Sequence, residues 1–353
     1  MRIIMLADMD YFYVACEELR NKEVSGKPTI VGADPKGGSG RGVVMTCNYL
    51  AREFGIHSGM PISMAYRLRP DALYLPLDYG YYDAVSKRIM DRIKAFADRF
   101  EQVSVDEAFI DVSEKLHGYE EAEGYAKIIQ KDVLDAVGIK CSIGIGPNKL
   151  ISKMACERAK PNGILMVREA EVKKFLSGSR IEDLYGIGEK TCQRLKRLGY
   201  TTVDGLAKAN GAKLAAQFGA SFGAEMKAFA NGVDEREVAQ AGDVKSIGRE
   251  FTFEKDTHSD EEVKAAMRRL CGEVIKDVSE NQVSFKTVTI KLRYHDFTEH
   301  LHSRSVKATS SLDTAINAAE GLYYENAERS KKIRKIGVKV SGLVSYRGQK
   351  KIA

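Results

Sequence analysis

The chain opens with a short apolar run, Arg2-Ile3-Ile4-Met5-Leu6-Ala7, followed at once by Asp8-Met9-Asp10-Tyr11-Phe12-Tyr13. The apolar run is typical of a buried strand, and the apolar positions after it recur at helical spacing, which predicts a helix over residues 11–19. Asp8 is therefore expected where a strand ends and a helix begins, beside amide groups that favour anions such as phosphate. A capping role for Asp8 is the alternative.

A second acidic stretch lies in Val103-Ser104-Val105-Asp106-Glu107-Ala108-Phe109-Ile110-Asp111-Val112. Its pattern predicts two β segments with a kink at Asp106 and Glu107. Two adjacent acids in an apolar hairpin are costly to bury without a counter-charge, whereas divalent ions would neutralise them. Asp8, Asp106 and Glu107 together suit a two-metal phosphoryl-transfer site. A solvent-facing turn that happens to carry two acids is the alternative.

Length and composition restrict the class of protein. A chain of 353 residues predicts two or more domains. We expect no membrane span, because no apolar run approaches the roughly 18 residues that one requires. The early acid at Asp8 argues against a signal peptide. The cysteines are scattered, which predicts free thiols in a reducing cytoplasm; they are Cys16, Cys47, Cys141, Cys156, Cys192 and Cys271.

The positive charge is confined to the last third of the chain. Residues 245–353 carry 21 Lys and Arg against 15 Asp and Glu, which accounts for the whole net charge of +6. A neutral body with a basic C-terminal region indicates contact with a polyanion. A merely solvated surface is the alternative.

The N-terminal half predicts an α+β fold. The pattern gives a strand, a helix over 82–100, the acidic hairpin, a helix over 119–137 and a strand over 139–145. This β-α-β-β-α-β order is that of a ferredoxin-like domain, with residues 11–77 inserted after the first strand. In that topology the first strand and the hairpin lie side by side in the sheet, which would bring Asp8 close to the other two acids.

The rest of the chain predicts a helical region, a linker and a second β-α-β-β-α-β segment. Residues 149–233 are expected to be mostly helical, and Gly186-Ile187-Gly188 within them resembles the turn of a helix-hairpin-helix, with a plain helix corner as the alternative. The second segment, over 247–344, has Lys and Arg alternating with apolar residues, so one basic sheet face suits duplex phosphates. Its basic residues are Lys286, Lys291, Arg293, Arg304, Lys307, Lys331, Lys332, Arg334, Lys335 and Lys339.

Five ordered motifs resemble those of the Y-family lesion-bypass DNA polymerases, of the bacterial polymerase IV and archaeal type. They are the stretch over 8–13, Thr46-Cys47-Asn48-Tyr49-Leu50-Ala51-Arg52-Glu53-Phe54-Gly55, the stretch over 104–109, Ala159-Lys160-Pro161-Asn162-Gly163, and Gly186-Ile187-Gly188. The resemblance implies a palm over 1–10 and 78–166, fingers over 11–77, a thumb over 167–233, a linker over 234–244 and a little finger over 245–353.

The resemblance also implies roles for single residues. Asp8, Asp106, Glu107 and the Met9 carbonyl would hold two Mg²⁺ ions, with Mn²⁺ as an expected substitute, and Asp10 lies outside this metal set. The expected nucleotide-binding residues are Tyr11, Phe12, Tyr13, Thr46, Tyr49, Arg52 and Lys160, with Tyr13 as a sugar gate against ribonucleotides. The expected DNA-binding residues are Gly186, Gly188, Lys190, Arg249, Lys291, Arg293, Arg304, Lys307, Lys331, Lys332, Arg334 and Lys335.

The implied activity is template-directed translesion DNA synthesis from dNTPs, with low fidelity and without proofreading. The implied partners are primer–template DNA and a sliding clamp, although the tail over 347–353 shows no clamp-binding peptide, and we expect a monomer. Met45 stands where relatives often have a smaller residue, which bears on lesion size. Two other functions fit part of the pattern: a nucleotide cyclase, which would need no second basic domain, and a non-catalytic damage-binding protein, which would need no acid triad.

Overall fold

The computed structural model describes residues 1–239, 242 and 244–345. The chain divides into two compact units, Met1–Ala241 and Gly242–Ala353. The strands of the first unit are β1 (Ile4–Met9), β2 (Thr29–Gly32), β3 (Val44–Cys47), β4 (Leu73–Leu75), β5 (Arg99–Gln102), β6 (Glu107–Asp111), β7 (Cys141–Gly146) and β8 (Ile164–Met166). Its helices are α1 (Phe12–Arg20), α2 (Tyr49–Arg52), α3 (Ile62–Leu68), α4 (Tyr79–Ala95), α5 (Tyr119–Val137), α6 (Lys149–Ala159), α7 (Val172–Leu176), α8 (Glu189–Arg197), α9 (Val203–Ala207), α10 (Gly211–Phe218) and α11 (Ala220–Ala230).

The main sheet of the first unit has the strand order β5-β6-β1-β7-β8. β1 lies at its centre and pairs antiparallel with both β6 and β7. Every residue of β1 is buried because both faces of the sheet are covered. Met5 and Ala7 pack in the cluster that contains α4 and α5, whereas Ile4 and Leu6 pack on the other face with Cys156 of α6. The predicted succession of strands and helices is present, with the first strand next to the acidic hairpin.

One predicted boundary is wrong. The helix expected over 82–100 ends at Ala95, and Phe100 lies in β5, opposite Ile110 of β6. The acidic hairpin therefore starts earlier than expected, with Asp106 directly before β6 and Glu107 as its first residue. Phe96 and Phe100 are four residues apart, a spacing that suits a helix, but both pack against the same core from different elements.

The other parts of the first unit have cores of their own. The sheet β3-β2-β4 packs with α2 and α3 around Ile30, Val44 and Ile62. The helices from α6 to α11 share a core that includes Leu150, Leu195 and Leu214.

The linker expected over 234–244 is partly integrated into the first unit. The Asp234 carboxylate accepts a hydrogen bond of 2.9 Å from the Leu150 amide. The Arg236 guanidinium lies 5.0 Å from the centre of the Phe229 ring. Val238 is 1% exposed and packs with Ile4 and Leu6 on the main sheet. Residues 240, 241 and 243 lie outside the described residues.

The second unit is a four-stranded sheet with two helices on one face. Its elements are β9 (Ser246–Thr257), α12 (Asp260–Glu280), β10 (Val283–Tyr294), β11 (Glu299–Thr309), α13 (Leu312–Asn326), β12 (Ile333–Ser341) and the short β13 (Val344–Ser345). The succession repeats that of the first unit, but the strand order is β11-β10-β12-β9. The first strand is therefore at the sheet edge instead of the centre. The tail over 347–353, expected to lack a clamp peptide, lies outside the described residues.

All six cysteines are free and buried. Within residues 1–239, 242 and 244–345, none of the helices combines the length and apolar character that crossing a bilayer requires.

Two glycines of the first unit should respond oppositely to the same substitution. A Cβ on Gly144 of β7 would lie 2.0 Å from the Ser152 carbonyl oxygen and 2.2 Å from the Cys156 amide nitrogen of α6. We expect Gly144→Ala to lower the free energy of unfolding by about 3 kcal/mol through overpacking. Gly124 is exposed within α5 with no atom near its missing Cβ, so Gly124→Ala should raise it by about 0.5–1 kcal/mol. Chemical denaturation measures both, and equal effects would contradict the close approach of α6 to β7.

Candidate active site

The three predicted acids meet where β1 and β6 pair. Asp8 lies directly opposite Glu107 in the antiparallel register. The Met9 amide donates a hydrogen bond of 2.9 Å to the Asp106 carbonyl oxygen. Residues almost one hundred positions apart are thus neighbours through the backbone of the sheet.

Two lysines from α6 and its end neutralise these acids. The Lys153 ammonium lies 3.1 Å from Asp8 Oδ2 and 2.5 Å from Glu107 Oε2. The Lys160 ammonium lies 2.9 Å from Asp8 Oδ1. Glu157 bridges the two lysines, at 3.0 Å from each ammonium. The site is therefore a compact network of alternating charge.

Burial changes the proton affinity of these groups. Burial raises the pKa of Glu107, which the Lys153 ammonium opposes and the Asp8 carboxylate increases. Burial also raises the pKa of Asp106, which the hydrogen bond from Ser104 opposes and Asp8 increases. For Lys153, burial alone would lower the pKa, but the neighbouring carboxylates outweigh it and raise that pKa. The network favours an ammonium over a neutral amine at its centre.

Asp106 has its carboxylate turned towards its own turn. Its Oδ1 accepts a hydrogen bond of 2.5 Å from the Ser104 hydroxyl. Among the described residues, no three His, Cys, Asp or Glu side chains converge closely enough to hold a metal ion. The backbones of the three acids are close together. For all three carboxylates to bind one ion, the Asp106 side chain would have to give up its hydrogen bond with Ser104.

Asp10 connects three parts of the first unit. Its carboxylate accepts hydrogen bonds from the Asn162 amide at 2.7 Å, the Ser142 hydroxyl at 3.0 Å and the Tyr49 hydroxyl at 3.2 Å. Burial raises its pKa, and these hydrogen bonds oppose the rise. Asp10 therefore positions Tyr49 and the turn at Asn162 around the acids.

The start of α1 lies next to the acids. Tyr11 is the N-terminal cap, with φ of 38°, and no side chain caps the helix, so its first amides are available to an anion. Phe12 is buried in the core. Tyr13 stacks on Tyr82 of α4, with 4.6 Å between ring centres and 27° between planes.

Tyr82 is held rigidly beneath Tyr13. It is fully buried, and its hydroxyl donates a hydrogen bond of 2.6 Å to Glu17 Oε1. Arg20 binds Glu17 at 2.8 Å and Asp78 at 2.7 Å. The ring of Tyr13 therefore rests on an aromatic ring that is anchored through the buried Glu17 carboxylate and its ion pair with Arg20.

The other predicted nucleotide-binding residues stand around this helix start. The Arg52 guanidinium lies 4.8 Å from the centre of the Tyr49 ring, and that ring meets the Tyr11 ring edge-on at 5.5 Å. Thr46 is half-buried in β3, opposite Val31. The structure thus connects Tyr49, Arg52 and Tyr11 directly, whereas it shows for Thr46 only its place in the strand.

The Gly-x-Gly turn differs in part from expectation. Gly186 has a φ of 88°, Gly188 caps α8, and Lys190 is exposed in its first turn. The preceding element is only a single 3-10 turn over Ile181–Asp183. The predicted helix-hairpin-helix is therefore incomplete, because a single 3-10 turn stands in place of its first helix.

Two of the predicted DNA-binding cations of the second unit lie on the face of the sheet that the helices cover, opposite the face expected to meet DNA. Arg249 pairs with Asp277 of α12, and Arg304 pairs with Glu325 of α13 at 2.6 Å. Both lie on the helix-covered face: Arg249 has the same parity as the buried Ile247 and Phe253 of β9, and Arg304 lies opposite the buried Val288 of β10.

The remaining predicted cations of the second unit lie on the face of the sheet opposite the helices or at the edge of that face. Lys291, Arg293 and Lys335 form ion pairs with Glu250 or Glu299. Lys331 pairs with Asp296 at 3.0 Å, and Arg334 with Asp256 at 3.7 Å. Lys307 and Lys332 are exposed.

Four residues around the site had no predicted role: Lys153, Ser104, Ser142 and Tyr82. A pattern for Lys153 was available: it precedes Glu157 by four residues and Lys160 by seven, which places all three on one side of a helix. The roles of Ser142 and Tyr82 depend on contacts between distant elements, and no local pattern marks them. Ser104 contacts Asp106 and Glu107 within its own turn.

The sequence matches two family models. One, described as the impB/mucB/samB family, matches residues 7–157, and the other, described as the C-terminal domain of that family, matches residues 244–353. A protein named DNA polymerase IV 2 from Methanosarcina mazei is 40% identical over 97% of this chain and 92% of its own length. DNA polymerase IV from Lactococcus lactis subsp. cremoris is 35% identical over 97% of this chain and 94% of its own length.

Solved structures are also similar to the chain over nearly its whole length. A structure entitled "Y-family DNA polymerase chimera Dbh-Dpo4(243-245)-Dbh" is similar with a TM-score of 0.89 and 28% identity, over 97% of this chain and 99% of that one. Another, entitled "Insertion ternary complex of Dbh DNA polymerase", has a TM-score of 0.69 and 27% identity, over the same shares of the two chains.

Lys153 should support the stability of the acid network. We expect Lys153→Met to lower the free energy of unfolding by about 3 kcal/mol in a chelating buffer, because Glu107 loses its buried partner while Lys160 still neutralises Asp8. Lys131 forms an exposed pair with Asp135, so Lys131→Met is the control and should cost less than about 0.5 kcal/mol. Urea denaturation measures both, and equal values would show that Lys153 is not an essential counter-charge.

Proposed function

The chain belongs to the impB/mucB/samB family of Y-family DNA polymerases, and from this premise we propose that Asp8, Asp106 and Glu107 form the catalytic centre of its nucleotidyl transfer. The protein is a DNA-directed DNA polymerase of the translesion type. The proposed reaction transfers a nucleotide from a dNTP to a primer 3′-hydroxyl, with low fidelity and without proofreading.

The pairing of Asp8 with Glu107 in the main sheet carries the catalytic proposal. A site that binds a triphosphate beside a primer end needs acids on rigid elements, because a misplacement of about 1 Å can cost a hundredfold in rate. Central strands supply that rigidity here. The uncapped start of α1 lies beside them and supplies amides that suit a phosphate.

The residues fit a pair of divalent ions by donor chemistry. Carboxylate and carbonyl oxygens are the ligands that Mg²⁺ prefers, and Asp8, Glu107, Asp106 and the Met9 carbonyl would hold the ions, with Mn²⁺ as a substitute. Ions bound there would lower the pKa of the primer hydroxyl and neutralise the triphosphate. Lys153 and Lys160 supply positive charge to the same acids. To bind such an ion, the Asp106 carboxylate would have to give up its hydrogen bond with Ser104 and turn towards Asp8 and Glu107.

The nucleotide would lie against the residues around α1. Arg52 and Lys160 would bind the phosphates, since a guanidinium can donate two hydrogen bonds to one phosphate, and Tyr49 and Thr46 would complete that pocket with the amides of residues 11–13. Tyr13 would exclude a ribose 2′-hydroxyl with its ring. Its stacking on Tyr82 would prevent the ring from yielding.

The remaining parts of the chain have proposed roles in DNA binding. We assign the palm to 1–10 and 78–166, the fingers to 11–77, the thumb to 167–233 and the little finger to 245–353. Primer–template DNA would contact the turn at Gly186, Gly188 and Lys190 and the predicted cations of the second unit other than Arg249 and Arg304, which pair with acids of the helices. A monomer, a cytoplasmic location and a sliding-clamp contact are further parts of the proposal.

The two other candidate functions have less support. A nucleotide cyclase would not need the second unit, which the family model for the C-terminal domain matches as a whole. A damage-binding protein without activity would have no reason to bury an acid triad at the centre of a sheet, because burying charge is costly.

Substitution of Asp106 tests the catalytic proposal. We expect Asp106→Asn to slow primer extension at least about a hundredfold, because several kcal/mol of charge stabilisation would be lost, and to leave affinity for primer–template DNA unchanged. The assay is gel-resolved extension with Mg²⁺ and four dNTPs, on an intact template and across an abasic site. Asp91→Asn, an exposed change on α4, is the control. Normal extension by Asp106→Asn would refute the catalytic assignment.

Substitution of Tyr13 and Tyr82 tests the sugar gate. We expect Tyr13→Ala to reduce discrimination between dNTP and rNTP at least about tenfold, because the ring no longer occupies the space of the 2′-hydroxyl. Tyr82→Leu should reduce it about two- to tenfold through lost stacking, whereas Tyr82→Phe keeps the ring and should retain it. The ratio of kcat/KM for the two nucleotides is the measurement, and an unchanged ratio in Tyr13→Ala would remove the gate from Tyr13.

A further inference from the structure

Within residues 244–345, helices cover only one face of the sheet of the second unit. Val288, Ile290 and Leu292 of β10 are buried beneath α12 and α13. The residues between them therefore point to the opposite side. We call this side the open face and define its charged row as Glu250 of β9, Lys291 and Arg293 of β10, Glu299 of β11 and Lys335 of β12.

Two glutamates hold all three cations of this row. Glu250 binds the Lys291 ammonium through Oε1 and the Lys335 ammonium through Oε2, each at 2.7 Å. Glu299 accepts a hydrogen bond of 2.7 Å from Arg293 Nε and lies 3.4 Å from the Lys291 ammonium. Across the strand order β11-β10-β12-β9 the row thus has an acid on each edge strand and cations on the two central strands, and each cation already has an acidic partner.

A glycine leaves the space through which the Lys291 side chain reaches Glu250 across an intervening strand. Gly337 of β12 stands between Lys291 and Glu250 in the strand register. A Cβ at this position would lie 3.1 Å from Glu250 Cγ and 3.3 Å from Lys291 Cβ. The absence of a side chain on Gly337 leaves room for Lys291 to contact Glu250 across the intervening strand. The ion pair is therefore built into the sheet and is more than a chance surface contact.

We propose that Glu250 and Glu299 act as internal competitors of DNA phosphates on the open face and so limit the affinity for DNA, an inference that rests on the proposed polymerase function. Lys291, Arg293 and Lys335 are cations that the duplex backbone would attract. A phosphate that approaches one of them must share it with a carboxylate or displace that carboxylate. The face consequently binds DNA more weakly, and with a shallower salt dependence, than its cations alone would give.

This role differs from that of an ordering device. These ion pairs are partly exposed on the sheet surface, where pairs between long side chains contribute little to stability, so we expect the sheet to fold without them. If they served to orient the cations for phosphate, removing their charge would weaken DNA binding. If they compete, removing their charge strengthens it. The sign of the change in affinity therefore separates the two roles.

The test measures DNA affinity of the full chain without nucleotide. The variants are Glu250→Gln and Glu299→Gln, which keep side-chain shape, and the probe is a fluorescent primer–template duplex followed by anisotropy between about 50 and 300 mM NaCl. We expect each variant to bind about three- to tenfold more tightly near 100 mM NaCl. The slope of log affinity against log salt should become more negative by about 0.9 for each cation released.

Glu325→Gln is the matched control. It removes the same charge and also breaks an ion pair, with Arg304, but on the helix-covered face. We expect it to change affinity less than about twofold, because Arg304 has no access to a duplex on the open face. Thermal unfolding of all variants checks that they are folded, and the two glutamates provide independent trials.

Three results would overturn the inference. Unchanged or weaker binding in both Gln variants would show that the glutamates do not compete with DNA. An equal gain in Glu325→Gln would show that net charge alone sets the affinity. Failure of the wild-type chain to bind primer–template DNA would instead overturn the proposed function, and the inference with it.

Discussion

The antiparallel pairing of β1 with β6 is the constraint on which the candidate active site depends. Side chains alternate between the faces of a strand, so Ile4, Leu6 and Asp8 share one face, and Phe109 and Glu107 share it from the other strand. A slip of one residue in the register would move Asp8 to the opposite face. The apolar residues that fix the register therefore also fix the acids. Packing of the core thus also places the proposed catalytic acids in this sheet.

Helix α6 makes the burial of these acids possible. Gly144 lets α6 approach β7 so closely that any side chain would collide with the Ser152 carbonyl. That approach places Lys153 between Asp8 and Glu107. A buried carboxylate without a partner costs several kcal/mol, and the two lysines offset this cost. The same close packing that stabilises the fold thus holds acids and cations together at the site.

The sequence predicted the long periodic elements well. The helix expected over 119–137 has those bounds in the structure. The meeting of Asp8 with Asp106 and Glu107 followed from the strand succession, because that topology places the first strand beside the hairpin. The end of α4 was missed because Phe96 and Phe100 are spaced for one helix although the chain turns between them. Local spacing does not record such a turn.

Other errors arose where only the register decides the outcome. Arg249 follows Ile247 and precedes Phe253 at even spacing, so its place on the helix-covered face was encoded in the alternation of β9. The strand order of the second unit was not encoded locally, since the same succession gives a different order in the first unit. Ser104 acts within its own turn, whereas Lys153 and Tyr82 act across elements that are distant in the chain. Their contacts exist only once the fold is formed.

The most direct test of the central claim is an anomalous difference map. A crystal of the chain with primer–template DNA, a non-hydrolysable dNTP and Mn²⁺ would locate the ions independently of any activity. We expect two peaks about 3.5–4 Å apart, within ligand distance of the carboxylates of Asp8, Asp106 and Glu107. Peaks elsewhere in the complex, with these three acids still bound to Lys153, Lys160 and Ser104, would contradict it.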